Sequence, residues 1–136
     1  MNCIKSYKLE LDVRDNEVDL QGIVNHASYV TYMAHARHKH LRTLGIDFNE
    51  MHQEGYNLVL IHSEIAYKDS LKSGDEFIVT SVLQPVGRIR IAFSQEIIRK
   101  SDNKVVTVAT NTGTCLSIST GRPFIPEKLA KILFTN

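Results

Sequence analysis

The chain has 136 residues, of which 43% are hydrophobic and 23% are charged. This length and composition predict one globular domain over residues 1–136 and exclude a disordered chain. The formal net charge is +1. Such a balance provides no broad field for nucleic acid or an anionic membrane, so an anionic ligand would need a local cationic patch.

Cysteine usage and the N-terminal segment favour a cytoplasmic protein. Cys3 and Cys115 are far apart and lack the spacing of a metal or redox motif, so we expect two free thiols in a reducing compartment. The N-terminal segment has no apolar core of the kind found in signal peptides. No apolar run approaches the ~20 residues that a membrane span needs.

The first half of the chain predicts a strand, a loop and a long helix. Residues 6–13 alternate polar and apolar, which is typical of a half-buried strand. After a loop containing Gly22, the period changes to that of a helix, with Asn25 as N-cap and Gly45 just beyond the C-terminus. The predicted apolar stripe of this helix consists of Ala27, Val30, Ala34, Leu41 and Leu44.

The second half predicts four consecutive antiparallel strands and a short final helix. A loop over residues 46–57 comes first. The strands are expected at residues 58–67, 76–83, 88–99 and 104–118, and the helix at residues 127–133. Together the elements predict an α+β domain in which a five-stranded, mostly antiparallel sheet wraps a long central helix. Apolar residues on both faces of the first of these strands suggest cover by a second subunit.

One loop carries a specific motif. Asp19-x-x-Gly22-Ile23-Val24-Asn25-His26-x-x-Tyr29 resembles the signature loop of the hotdog-fold acyl-CoA thioesterases of the 4-hydroxybenzoyl-CoA thioesterase type. The likeness continues through Ala36-Arg37 and Leu41-x-x-x-Gly45 on the helix, then through IAYKDSLKSGDEFIV and TGRPFIPEKL further on. The order of elements agrees over nearly the whole chain, so the resemblance implies a hotdog fold and thioester hydrolysis.

The resemblance also implies a catalytic arrangement. Asp19 would act as nucleophile or general base, and the backbone N–H of His26, in the first turn of the helix, would polarise the thioester carbonyl. Gly22 would let the loop bring the two together. Relatives often carry an acidic residue just before Ala-Arg, whereas Ala34 and His35 stand there in this chain. Asp19 is therefore the candidate carboxylate.

Other residues of the motif have open roles. The His26 side chain could orient water or hold substrate, or could be a polar residue at a helix start. Asn25 is an N-cap on one interpretation and a substrate contact on the other. Tyr29 would face the same cleft or pack in the core. Arg37 lies on the predicted apolar stripe, and we interpret it as a structural arginine tied to a carboxylate or to carbonyls.

Coenzyme A carries phosphates, so cationic side chains should line one mouth of the cleft. Arg88 and Arg90 are two apart on a predicted strand and would project from the same face. They are the first candidates for phosphate contacts. The alternative is a solvent-facing strand that simply carries arginines.

Several other classes are excluded. His35, His38 and His40 have no acidic or thiol ligand near them in sequence, and Leu20 occupies the glycine position of a calcium loop. We therefore expect no metal and no cofactor. The chain lacks a G-x-S-x-G elbow and the glycine patterns of nucleotide-binding loops.

The sequence leaves three functions to compare. The first is hydrolysis of acyl-CoA by a homodimer or homotetramer. The second is hydrolysis of acyl groups on acyl carrier protein, which presents the same phosphopantetheine thioester. The third is binding of acyl thioesters without turnover, although a pure binder has no need for a carboxylate such as Asp19 beside the thioester.

Overall fold

A computed structural model describes residues 5–134. In chain order, the elements are β1 (Lys5–Asp12), a 3₁₀ helix (Asp15–Glu17), α1 (His26–Thr43), α2 (Phe48–Gln53), β2 (Tyr56–Tyr67), β3 (Glu76–Val86), β4 (Arg90–Arg99), β5 (Lys104–Ser117), β6 (Pro123–Phe124) and α3 (Glu127–Phe134). The free thiol predicted at Cys3 lies outside the described residues.

The five long strands form one antiparallel sheet in the order β1-β3-β4-β5-β2, and β6 adds a short sixth strand beside β5. The predicted α+β hotdog architecture is confirmed, with β6 and α2 as additions to it. In α2, Asp47 caps the helix by accepting the Asn49 N–H at 2.8 Å. In the described residues, no helix is long and apolar enough to cross a membrane.

The ends of α1 follow the sequence prediction. Asn25 is the N-cap, and its side chain accepts the Ser28 N–H. Gly45 follows the C-cap residue Leu44 and has a φ of 83°. That left-handed conformation favours glycine, which ends the helix at this point.

The predicted apolar stripe of α1 is wrong at Ala27 and Val30 and misses most of the buried face. The buried residues of the helix are Tyr29, Tyr32, Met33, Ala36, His40 and Leu41. Ala27 is exposed, Val30 is 43% exposed, and Ala34 and Leu44 are only half-buried. The helix is rotated relative to this prediction, because the hydroxyls of Tyr29 and Tyr32 and the Nδ1 of His40 have hydrogen-bond partners inside the fold.

His40 is buried between α1 and the sheet. It is 1% exposed, its Nδ1 lies 3.0 Å from Ser81 Oγ, and its ring stacks on Tyr7 with centroids 5.6 Å apart. Its Nε2 has no hydrogen-bond partner among the described residues. Burial therefore lowers the pKa of His40, because a charge at this position would lose its hydration.

We expect acid to destabilise the fold through His40. Since its pKa in the fold is below the ordinary 6.5, the unfolded chain takes up a proton that the folded chain excludes as pH falls through 6.5. His40→Gln removes this titration and can still bond Ser81. Urea unfolding at about pH 7.5 and about pH 5 should show a larger loss of unfolding free energy in the wild type than in the variant. An equal loss in both proteins would contradict the expectation.

Candidate functional site

The loop before α1 folds back on itself around Asp19. The Asp19 N–H donates to the Ile23 carbonyl at 2.9 Å, and the Gly22 N–H donates to the Asp19 carbonyl at 3.0 Å. Gly22 has a φ of 80°, a backbone conformation in which a residue with a side chain would be strained. Asp19 Oδ1 accepts the N–H groups of Gln21 and Ile23 at 2.8 and 3.4 Å. The Asp19 side chain is exposed, so its carboxylate is fixed by the turn and open to solvent.

Contacts at the ends of the loop hold it beside α1. The Val24 N–H donates to the Leu71 carbonyl at 2.9 Å, and Ile23 forms a β-bridge with Lys72. Glu17 is the second anchor. Its carbonyl accepts the Asn25 N–H at 3.2 Å, and its Oε1 accepts the Tyr32 hydroxyl at 2.8 Å. The sequence analysis missed the role of Glu17, because its partners lie eight and fifteen residues away.

The N-terminus of α1 offers free hydrogen-bond donors. Asn25 Oδ1 accepts the Ser28 N–H at 3.1 Å, whereas the N–H groups of His26 and Ala27 meet no acceptor within residues 5–134. The first turn contains no acidic residue to offset the positive end of the helix dipole. Such an end is suited to a carbonyl oxygen that becomes negative during a reaction.

Asn25 should matter for stability. Asn25→Ala removes the acceptor of the Ser28 N–H, and we expect a loss of about 1 kcal/mol in the free energy of unfolding. Asn25→Ser keeps a capping oxygen and should lose much less. Chemical denaturation of both variants measures the difference. Equal stability of Asn25→Ala and the wild type would show that the cap contributes nothing.

The side chains of His26 and Tyr29 belong to one aromatic cluster with Tyr67. The exposed His26 ring stacks on Tyr67 with centroids 5.3 Å apart, and Tyr67 contacts Tyr29 at 5.6 Å. Tyr29 is 3% exposed, and its hydroxyl accepts the Leu71 N–H at 2.9 Å. Burial raises the pKa of Tyr29. In this chain Tyr29 thus packs the β2–β3 connection onto α1, while the His26 ring remains accessible.

Comparison with known proteins places the chain in a family. The sequence profile of the thioesterase-like superfamily matches residues 13–133. The chain belongs to this superfamily. It is 33% identical over 110 residues to an acyl-acyl carrier protein thioesterase of Arabidopsis thaliana, ATL2, covering 81% of this chain and 58% of the plant protein. A putative esterase of Aquifex aeolicus is 32% identical over 117 residues, covering 86% and 89%.

The thioesterase-like chain spans 58% and 54% of the two plant relatives that it matches. Among solved structures, the 1,4-dihydroxy-2-naphthoyl-CoA thioesterase Slr0204 from Synechocystis has a TM-score of 0.88 at 16% identity, covering 93% and 94% of the two chains. SAV2348 from Staphylococcus aureus, solved in complex with CoA, has a TM-score of 0.87 at 16% identity, covering 96% and 82%. At these identities the likeness concerns the fold.

Arg88 and Arg90 are not placed as the sequence predicts. Arg88 lies in the β3–β4 turn and Arg90 begins β4, so they are not two residues of one strand. Strand β3 continues through Pro85 to Val86, three residues past its predicted end at residue 83, which delays the reversal of the chain. Leu71 lies beside the start of α1 and comes before β3 in the chain, whereas Arg88 comes after β3. Because β3 has 11 residues, about 36 Å at the usual rise, one chain does not bring these arginines near Asp19.

Other cations of this thioesterase-like chain lie at the end of the sheet that is close to the Asp19 loop. Arg99 donates to the Ser70 carbonyl at 2.9 Å and pairs with Asp69 and Asp102, each at 2.9 Å. The Ser70 N–H, which donates to Asp69 Oδ1 at 2.8 Å, holds the pKa of Asp69 well below its usual range together with Arg99 and Lys104. The guanidinium of Arg99 is therefore occupied by its contacts with the β2–β3 connection. Lys72 is exposed and lies next to the Asp19 loop through its bridge to Ile23. Its backbone N–H donates to Asp75, whereas its side-chain ammonium forms no ion pair within residues 5–134.

The residues that the structure describes contain no group of three or more His, Cys, Asp or Glu arranged to hold a metal ion. Cys115 is buried on β5, and burial raises the pKa of its thiol to about 11. A thiol in this state is a poor nucleophile.

Proposed function

We propose that the chain hydrolyses acyl-CoA thioesters to a free acid and CoA. The observation that carries the proposal is the position of an exposed carboxylate, Asp19, on a turn that leads directly into a helix N-terminus with free N–H groups. The superfamily membership supports it, as do relatives whose names describe thioesterases acting on acyl carrier protein or on acyl-CoA.

The proposed reaction uses two parts of this site. The thioester carbonyl oxygen accepts the His26 N–H, which stabilises the negative charge that forms during attack. Asp19 either takes a proton from the attacking water or attacks the carbonyl carbon itself. The C–S bond then breaks, and the sulfur leaves as a thiolate that takes up a proton. In the direct route, water subsequently hydrolyses the mixed anhydride formed on Asp19.

The remaining motif residues support this geometry in the proposal. Gly22 shapes the turn, Asn25 caps the helix, and Tyr29 fixes the β2–β3 connection against α1. Within one chain, we expect Lys72, rather than Arg88 or Arg90, to contact the phosphates of CoA, because Lys72 borders the Asp19 loop. A phosphate role for Arg88 and Arg90 would need a second chain and stays a prediction.

We also propose that the protein works as a homodimer or a larger homo-oligomer. Strand β2 is an edge strand of 12 residues, and its apolar residues Leu60 and Ile61 are 49% and 47% exposed. A long exposed edge of this kind pairs readily with another strand. A second copy would cover both side chains. Single-domain organisation and a cytoplasmic location likewise stay predictions.

A thiol-release assay tests the proposed function. The same acyl group is offered on CoA and on acyl carrier protein, and free thiol is measured against free acid. We expect stoichiometric release from acyl-CoA. Much faster release from the carrier protein would favour the alternative suggested by the Arabidopsis relative. Binding of acyl-CoA without any thiol release would favour a non-catalytic binding protein and contradict the proposal.

A further inference from the structure

The Asp19 turn closes a small hairpin whose two sides are held by different contacts. Val18 and Val24 form a β-bridge at the base of the hairpin. The side that leads into α1 is bound to the β2–β3 connection through Ile23 and Val24. The side that carries Asp19 is held through Glu17, two residues earlier in the chain.

Glu17 connects this side of the hairpin to α1 at two points. Its Oε1 accepts the Tyr32 hydroxyl and the Arg14 N–H, each at 2.8 Å. Its backbone carbonyl accepts the Asn25 N–H at 3.2 Å. The side chain of Glu17 is therefore joined to the second turn of α1 and its main chain to the N-cap. We call these contacts the Glu17 clamp.

Tyr32 provides a rigid donor for the clamp. It is 4% exposed, and its ring packs on Phe77 with centroids 4.6 Å apart and against Tyr29 at 6.3 Å. Burial, and then the bond to the Glu17 carboxylate, raise the pKa of Tyr32. The hydroxyl thus keeps its proton at neutral pH and donates it to Glu17 from a fixed point of the helix.

The bond to Tyr32, rather than close packing, keeps the Glu17 carboxylate in place. The Glu17 side chain is 14% exposed. Both partners border a cavity of about 330 Å³ that Leu11, Thr31 and His35 also line. A tightly packed side chain has no such space beside it. Without the hydroxyl, the carboxylate has room to turn away from α1.

We propose that Glu17 is a positioning residue for the reaction, and that its bond to Tyr32 holds the Asp19 carboxylate beside the start of α1. The inference rests on the proposed function and adds to it a residue that does not touch the substrate. A displacement of about 1 Å in a reacting group can lower a rate by about 100-fold. Since Val18 alone separates Glu17 from Asp19, movement of the clamp is passed directly to the carboxylate.

Two variants break the bond from opposite sides. Tyr32→Phe removes one oxygen and keeps the packed ring, and Glu17→Ala removes the acceptor. We expect each to lower kcat for acyl-CoA by about tenfold to hundredfold with KM nearly unchanged, because the substrate contacts remain. The double variant should lose no more than either single variant, because both changes remove the same bond.

Two further variants should keep the rate. Glu17→Gln retains an oxygen that can accept the Tyr32 hydroxyl, so most of the wild-type kcat should remain. Arg14→Gln is the matched control. It removes a 76% exposed side chain whose Nε lies 3.9 Å from Glu17 Oε2, and it keeps the backbone N–H that bonds to Oε1. Thiol release is measured for all variants, and far-UV circular dichroism gives the folded fraction.

Three kinetic results would overturn the inference. The first is wild-type kcat in folded Tyr32→Phe. The second is losses that multiply in the double variant, because the two residues would then act independently. The third is an equal loss in Glu17→Gln and Glu17→Ala, because Glu17 would then act through its charge. The third comparison decides the matter even if Tyr32→Phe does not fold.

Amide hydrogen exchange separates this inference from the proposed function. The N–H groups of Asp19 and Asn25 donate to carbonyls within the hairpin and the clamp. They should exchange at least about tenfold faster in Tyr32→Phe than in the wild type, and at the wild-type rate in Arg14→Gln. If the wild type cleaves no acyl-CoA, the proposed hydrolysis fails, and faster exchange in Tyr32→Phe still supports the clamp. Unchanged exchange in Tyr32→Phe overturns it in either case.

Discussion

Asp19→Asn is expected to lower kcat for the best acyl-CoA substrate by about 10²- to 10⁴-fold. The amide cannot take a proton from water or attack the carbonyl carbon, so both versions of the proposed mechanism lose their essential group. The fold should survive. The oxygen of the new side-chain amide can still accept the N–H groups of Gln21 and Ile23, which bond to Asp19 Oδ1 in the wild type.

The control for Asp19→Asn is Asp12→Asn, which removes a different exposed carboxylate. We expect wild-type kcat from the control, measured by thiol release under the same conditions. If Asp19→Asn keeps more than about a tenth of the wild-type rate, a loss far smaller than general acid–base catalysis supplies, Asp19 is neither nucleophile nor general base.

His26→Pro is expected to lower kcat by about 10²- to 10³-fold, because proline has no N–H to donate to the developing oxyanion. The local structure suits this change. His26 is the first residue of α1, where proline is well tolerated, and Asn25 already has the extended conformation that a following proline requires, with φ −75° and ψ 160°. The substitution thus removes one backbone donor at little cost to the helix.

His26→Ala is the matched control, since it keeps the backbone N–H and removes the ring that stacks on Tyr67. If the amide is the catalytic group, His26→Ala should retain most of the activity that His26→Pro loses. Equal activity of the two variants would assign the effect to the side chain or to neither group. Far-UV circular dichroism of both proteins verifies that α1 is intact.

The sequence predicted the order of the elements and the ends of α1 because those depend on local signals. Asn25 and Gly45 end the helix through their own backbone and side-chain geometry. The buried face of α1 depends on partners that are distant in sequence. Tyr29, Tyr32 and His40 bury their rings with hydrogen bonds between Leu71, Glu17 and Ser81 and the two hydroxyls and His40 Nδ1, and these partners cannot be found by counting apolar residues along the helix.

The position of the β3–β4 turn shows a similar limit. Pro85 and Gly87 suggested a turn at residues 84–87, but pairing with β4 extends β3 to Val86. Arg88 consequently lies in the turn. The six-residue helix α2 could have been found, because Asp47 precedes it as an N-cap.

The candidate site is predictable to the extent that it is local. The turn from Asp19 to Gly22 and the start of α1 lie within a few residues of one another, so the motif contains them. The clamp by Glu17 and the network that joins Arg37 to Gln95 cross between elements. Their partners lie 15 and 58 residues away, and only the folded chain brings them together.

The most direct test of the central claim is a distance. A crystal structure would be determined with an acyl-CoA analogue in which CH₂ replaces the sulfur and the carbonyl is retained. We expect the carbonyl oxygen to lie about 2.7–3.1 Å from the backbone nitrogen of His26, with the Asp19 carboxylate beside the carbonyl carbon directly or through one water. A carbonyl bound away from the start of α1, with Asp19 turned to solvent, would contradict the account.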